Sequence, residues 1–160
     1  MTMLYFAYGS NMDSSELMHK KRCPSAEFVC IAKIKKHRLA FTRKSRNRRC
    51  GVADLLFDSG QHVWGVVYKI PDFEVEFLDA AEGYQAGRDK NENSYNNVPC
   101  EVFKENGQKI LEPVFTYIAN KQENPPLPNE KYKKHLIKGA IEWRLPKKYR
   151  ETLEQIETKD

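Results

Sequence analysis

The chain has 160 residues, of which 40% are hydrophobic and 31% charged, with a net charge of +5. That balance excludes disordered and fibrous classes, and the length predicts one compact domain over residues 1–160 that needs neither disulfide nor metal to bury its core. The charge is uneven, because Lys33, Lys35, Lys36, Arg38, Arg43, Lys44, Arg46, Arg48 and Arg49 crowd one stretch.

The opening Met1–Ala7 has no basic region and is soon interrupted by Gly9 and Asn11, so it does not read as a signal peptide. No run of about 18 apolar residues follows, which predicts no membrane span and a cytoplasmic protein. Leu4–Tyr8 is aromatic and apolar, stops at Gly9, and reads as a buried strand. Asp13 then opens a helix, with Glu16 in capping-box spacing, Leu17 and Met18 on the apolar side, and Pro24 as its end. Phe28–Ile34, Arg38–Thr42 and Gly51–Phe57 read as strands; the turn Asp58-Ser59-Gly60 leads into another at His62–Ile70. The basic stretch therefore falls on a hairpin. It reads either as a solvated tip or as an anion or nucleic-acid surface, and its single aromatic, Phe41, counts against a single-strand binder.

Pro71-Asp72 enters a second helix, with Phe73, Phe77, Leu78 and Ala81 at helical spacing and Gly83 as the residue just beyond its end. Arg88–Asn97 is polar and reads as a loop. Val98–Phe103 and Leu111–Ala119 read as strands joined by the turn Glu105-Asn106-Gly107, and Asn124–Pro128 as a Pro-rich linker. Asn129 caps a helix to about Trp143, and Pro146 suits the first turn of another that ends near Ile156. With strands in the middle and helices at the end, the class is α+β.

Cys23, Cys30, Cys50 and Cys100 form no close pairs, and neither do His19, His37, His62 and His135, so reduced thiols and no metal site are expected. Three constellations remain. The strand–turn–helix at Tyr8-Gly9-Ser10-Asn11 leaves backbone N–H groups unpaired and lets a ligand approach Gly9, as a carboxylate, phosphate or oxyanion site requires; an ordinary connection with local turn residues fits the same letters. It lacks the later Gly-Lys-Ser/Thr of a phosphate-binding loop. Glu82 sits at a helix C-terminus, where the dipole disfavours its charge; burial there would make it a general acid or base, and exposure an ordinary surface carboxylate. Tyr84, Tyr95, Tyr117 and Tyr132 serve equally as core aromatics or as pocket hydrogen-bond partners. No nucleophile elbow or Ser-His-Asp order is present.

Tyr5-Phe6-Ala7-Tyr8-Gly9-Ser10-Asn11-Met12 resembles the opening strand and Y-G-S-N loop of the γ-glutamylcyclotransferase family. Val63–Tyr68 resembles its central strand, Leu78-Asp79-Ala80-Ala81-Glu82-Gly83 its L-D-x-x-E-G element, and Tyr132-Lys133-Lys134 with Gly139-Ala140 and Leu145-Pro146 its C-terminal region. The resemblance implies a small mixed β-barrel flanked by helices that converts a small-molecule γ-glutamyl amide to 5-oxoproline and a free amine with no metal or organic cofactor. It implies substrate binding by Tyr8, Gly9, Ser10, Asn11, Tyr132 and Tyr95, and proton transfer by Glu82. Asn11 favours γ-glutamyl amino acids over glutathione. Branches acting on γ-glutamyl-amines or carrier-linked γ-glutamyl groups stay open, as does a non-catalytic anion- or nucleic-acid-binding module on the same fold. Relatives include dimers, so a homodimer stays open too.

Overall fold

A computed structural model describes residues 1–160. Strands β1 (Thr2–Ala7), β2 (Glu27–Ser45), β3 (Cys50–Pro71), β4 (Tyr95–Cys100), β5 (Phe103–Lys104) and β6 (Val114–Ala119) form one mixed sheet, in the order β4-β6-β1-β3-β2-β5. Helices α1 (Ser14–Leu17), α2 (Asp72–Ala81), α3 (Glu130–Glu142) and α4 (Lys147–Glu154) complete the α+β architecture. No helix is long and apolar enough to cross a membrane.

β1 lies mid-sheet, antiparallel to β3 and parallel to β6. A strand covered on both faces needs an apolar run rather than alternation, and successive Tyr5, Phe6 and Ala7 are all buried. They join one buried cluster with Met12, Leu17, Tyr68, Leu78, Leu136 and Leu153, so sheet and helices share a single core.

Four expectations need correction. The strands expected at Phe28–Ile34 and Arg38–Thr42 are one strand, β2, and those at Gly51–Phe57 and His62–Ile70 are one strand, β3. The expected turn at Asp58-Ser59-Gly60 is a bulge. Lys35 pairs with His62 and His37 with Phe57, which sets Asp58–Gln61 opposite Lys36, a residue in the left-handed region at φ 60°. Second, the helix expected as far as Pro24 is a 3₁₀ turn at Ser10–Met12 followed by only the single turn of α1. The Asp13 side chain does cap it, accepting from Ser15 N–H at 3.0 Å. The Glu16 carboxylate, however, bonds Arg48 at 2.7 Å instead of completing the capping box.

Third, the Arg88–Asn97 loop contains a 3₁₀ turn at Lys90–Glu92 and runs into β4 at Tyr95, which pairs with Ala119 of β6. Fourth, the sheet does not close into a barrel by backbone pairing, since β4 and β5 are its edges and β5 has only two residues. It curls nonetheless, held by side chains. The fully buried Asp54 carboxylate accepts from Thr42 Oγ1 at 2.7 Å, Leu55 N–H at 2.8 Å and Ala119 N–H at 2.9 Å, which draws the end of β6 onto the first half of β3.

Two helix ends place the site. α2 stops in a Schellman arrangement, with Tyr84 N–H on Asp79 O at 2.8 Å, Gly83 N–H on Ala80 O at 3.1 Å and Gly83 at φ +71°. Glu82 is thereby held at the C-cap. α3 begins on the Asn129 side chain, which accepts from Tyr132 N–H at 2.8 Å, and packs against the 3₁₀ turn. Tyr68 OH and Trp143 Nε1 both donate to Met12 O at 3.0 Å, clamping that turn from the sheet and from the helix.

Candidate active site

The turn after β1, the end of α2, the start of β4, the start of α3 and the tip of the β2–β3 hairpin surround one cleft of about 1300 Å³. All seven expected site residues, Tyr8, Gly9, Ser10, Asn11, Glu82, Tyr95 and Tyr132, line it. Their contacts differ in kind.

The 3₁₀ turn's hydrogen bonds run from Met12 N–H to Gly9 O and from Asp13 N–H to Ser10 O, leaving the N–H groups of Ser10 and Asn11 outside its own ladder. Gly9 leaves room for close neighbours: a Cβ there would stand 3.2 Å from Tyr132 OH and 3.3 Å from Ala53 Cβ. Asn11 is the hub. Its Nδ2 donates to Glu82 Oε1 at 2.9 Å and to Tyr5 OH at 3.1 Å, while its Oδ1 accepts from Arg22 Nη1 at 2.8 Å.

Burial pushes the Glu82 carboxyl above its ordinary value, against the opposing pull of Arg22, the Asn11 amide and Arg48. The tyrosines hold the walls. Tyr132 OH accepts from Ala53 N–H at 3.0 Å, Tyr95 OH donates to Ala53 O at 2.5 Å, and Tyr8 OH donates to Tyr117 O at 2.5 Å. Burial raises Tyr132 to about 12 and holds Tyr8 and Tyr95 well above 10, so all three stay protonated across the physiological range. Tyr117 bonds Asp79 Oδ1 at 2.6 Å, beneath the end of α2, and Tyr84 lies outside this cleft.

Sequence reasoning missed two cations. Arg48 sits in the basic stretch, but its Nη2 reaches Glu16 Oε2 at 2.7 Å and Ser10 Oγ at 3.3 Å, and its guanidinium lies 5.1 Å from the Tyr132 ring centre. The hairpin tip is therefore folded onto the site and is not simply solvated. Arg22 follows the end of α1 and carried no sequence signal, since only the fold brings it to Asn11 and to within 3.5 Å of Glu16 Oε2. Burial raises Glu16, but the Arg48 hydrogen bond and the surrounding cations outweigh it and hold the carboxyl below its ordinary value. The cleft thus sets a buried carboxyl of raised proton affinity at Glu82 beside backbone donors left outside the turn's own ladder and fixed, protonated phenols.

Residues 62–153 match the model of the AIG2-like family. The γ-glutamylcyclotransferase of Homo sapiens is 34% identical over a stretch covering 99% of this chain and 81% of that protein. The Mus musculus protein of the same name is also 34% identical, over 98% and 79%. A solved structure of a γ-glutamyl cyclotransferase superposes with a TM-score of 0.88 at 32% identity, covering 100% of this chain and 90% of that one. Alignment and superposition both run through the strand, turn and helix end that build the cleft, and the chain belongs to the γ-glutamylcyclotransferase family.

Proposed function

We propose that the chain cyclises γ-glutamyl amides, γ-glutamyl amino acids foremost, to 5-oxoproline and the free amine, with Glu82 as general base and then general acid. The observation that carries this reading is the 2.9 Å hydrogen bond between Asn11 Nδ2 and Glu82 Oε1, which joins the glycine turn to the carboxylate across 71 positions of sequence.

The substrate's α-nitrogen is an ammonium near neutrality and has no lone pair to attack with. Glu82 takes one of its protons; the freed nitrogen adds to the γ-carbonyl carbon, and the carbonyl electrons move onto oxygen. In this reading the N–H groups of Ser10 and Asn11 receive that oxyanion, which accords with their lying outside the turn's own hydrogen bonds. Collapse breaks the bond to the departing nitrogen, which takes the proton back from Glu82. The ring nitrogen, which still carries one proton too many after attack, gives it to the emptied Glu82 carboxylate, which passes it to the freed amine; 5-oxoproline leaves with a single N–H and the amine leaves as an ammonium. The raised affinity of Glu82 for a proton suits both halves, since an ordinary glutamate at about 4.3 is a poor base for an ammonium. Holding the glutamyl chain folded supplies much of the remaining acceleration.

In this reading residues 1–160 act as one domain around one core, and the location is cytoplasmic, which accords with four unbridged cysteines. The direct test is 5-oxoproline release from γ-glutamyl-alanine, glutathione and γ-glutamyl-lysine, with γ-glutamyl-alanine turned over fastest; release from none of them overturns the reading.

Arg22 yields a prediction with a defined sign. It is the main group holding the Glu82 carboxyl down against burial, so its loss raises that group further. Because Glu82 must be deprotonated to act, the acid limb of the kcat/KM profile in Arg22→Ala should move to higher pH, and Arg22→Lys should restore part of the shift. An unmoved acid limb would separate Arg22 from Glu82.

A further inference from the structure

The cleft is larger and more basic than a γ-glutamyl group requires. Its volume of about 1300 Å³ exceeds the roughly 300–1,000 Å³ of an ordinary small-molecule site. Eight cationic side chains line it against two carboxylates, Glu82 and Glu92. Four of the eight are already engaged: Arg22 and Arg48 with Glu16, Arg43 with Asn120 O, and Arg88 with Asn93 Oδ1 and Gly83 O. The other four, Lys44, Arg46, Arg49 and Lys131, form no ion pair with any carboxylate of the chain.

These unpaired cations come from two elements of the lining. Lys44 is the next-to-last residue of β2 and Arg46 and Arg49 lie in the turn beyond it, while Lys131 sits in the first turn of α3. A cation in the first turn opposes the helix dipole, so Lys131 does nothing for the helix that bears it. The hairpin tip is also fastened in place. Gly51 N–H bonds Leu127 O at 3.0 Å, Asn129 Nδ2 bonds Arg48 O at 3.3 Å, and Arg48 is paired with Glu16. Like charges gathered without partners at one cavity repel each other, and a bound anion relieves that repulsion.

The geometry points to an anionic subsite at the basic side of the cleft, so that the preferred substrates are γ-glutamyl amides whose departing amine carries two carboxylates. An acidic amino acid, or a short peptide opening with one, meets that description. The inference rests on the cyclotransferase reading above, which seats the glutamyl group at Glu82 and leaves the rest of the substrate to the remainder of the cleft, which Arg46 and Lys131 help to line. The cations line a single cleft, which favours a small anion over a nucleic acid strand.

The test compares γ-glutamyl-glutamate with γ-glutamyl-glutamine, which match in shape and differ by one negative charge. The native enzyme should favour the glutamate by about fivefold in kcat/KM at low salt, as two partly exposed ion pairs allow. The ratio should fall toward one at ~0.5 M salt, where screening shortens the reach of exposed charges. Arg46→Glu and Lys131→Glu, both at exposed positions, should each bring the ratio to about one or below at low salt. Equal turnover of the two amides by the native enzyme, or a preference that survives both charge reversals, overturns the subsite alone. No 5-oxoproline from either amide overturns the subsite, and if γ-glutamyl-alanine also releases none, the cyclotransferase reading falls with it.

Discussion

Glu82→Gln should lower kcat for 5-oxoproline release by about a thousandfold, the middle of the range expected for loss of a general acid–base group. The amide keeps the shape and an oxygen for the Asn11 hydrogen bond, so substrate binding should persist in a direct titration. Near-native turnover in this variant would remove Glu82 from the mechanism. A second measurement on the same protein has an independent sign. Burial raises the Glu82 carboxyl in the folded state, so the native protein holds that proton more tightly than the unfolded chain does. Stability is therefore lost as pH rises from the unfolded value of about 4.3 through the raised folded one. Glutamine has no charge to bury. The melting temperature of Glu82→Gln relative to the native protein should be higher at pH ~7 than at pH ~4, and a difference independent of pH would mean that Glu82 is not desolvated.

Gly139→Ala should disturb both stability and catalysis, although residue 139 lies outside the cleft. α3 approaches the 3₁₀ turn so closely that a Cβ at 139 would stand 2.4 Å from Met12 C, 2.5 Å from Met12 Cβ and 2.6 Å from Asp13 N. Two of these are backbone atoms of a turn clamped by Tyr68 and Trp143, so they cannot yield as a flexible side chain would. Overpacking of this kind costs about 1–3 kcal/mol, offset in part by the roughly 1 kcal/mol that alanine gains over glycine within a helix. A net loss of up to about 2 kcal/mol corresponds to a fall of up to about 8 °C in Tm for a chain of this size. The same displacement moves Ser10 and Asn11 relative to Glu82, and misplacement by about 1 Å can cost a hundredfold in rate. Thermal melts and kcat/KM on γ-glutamyl-alanine check the pair of effects; native values for both would show that the turn accommodates the methyl group.

Where the chain could be read directly, the signals were local. Gly83 needs a positive φ that only the end of a helix asks for at that point, so α2 and the place of Glu82 were visible in Leu78–Gly83. Asn129 caps α3 as its side-chain chemistry predicts. The mistakes were also local readings, overridden by tertiary contacts. Glu16 has capping-box spacing, but a stronger partner at Arg48 takes its carboxylate. Tyr95–Asn97 looks like polar loop, yet pairing with Tyr117–Ala119 makes it strand, because a partner already in the sheet outweighs weak intrinsic preference. Asp58-Ser59-Gly60 has turn composition, but the long β2 partner carries it through as a bulge.

The sequence by itself determined the parts. Tyr8-Gly9-Ser10-Asn11 is a strand ending in a glycine turn, Glu82 stands at a helix end, and the class is α+β, because each follows from periodicity, capping and turn chemistry within a few residues. Only the tertiary structure decided their relation. It set Asn11 against Glu82, brought Arg22 and Arg48 to the same carboxylate of Glu16, and folded the basic hairpin over the cleft. The physical reason is range: hydrogen bonds within a turn are encoded by neighbours in sequence, whereas a buried carboxyl's proton affinity depends on whatever charges and apolar groups the whole fold packs around it.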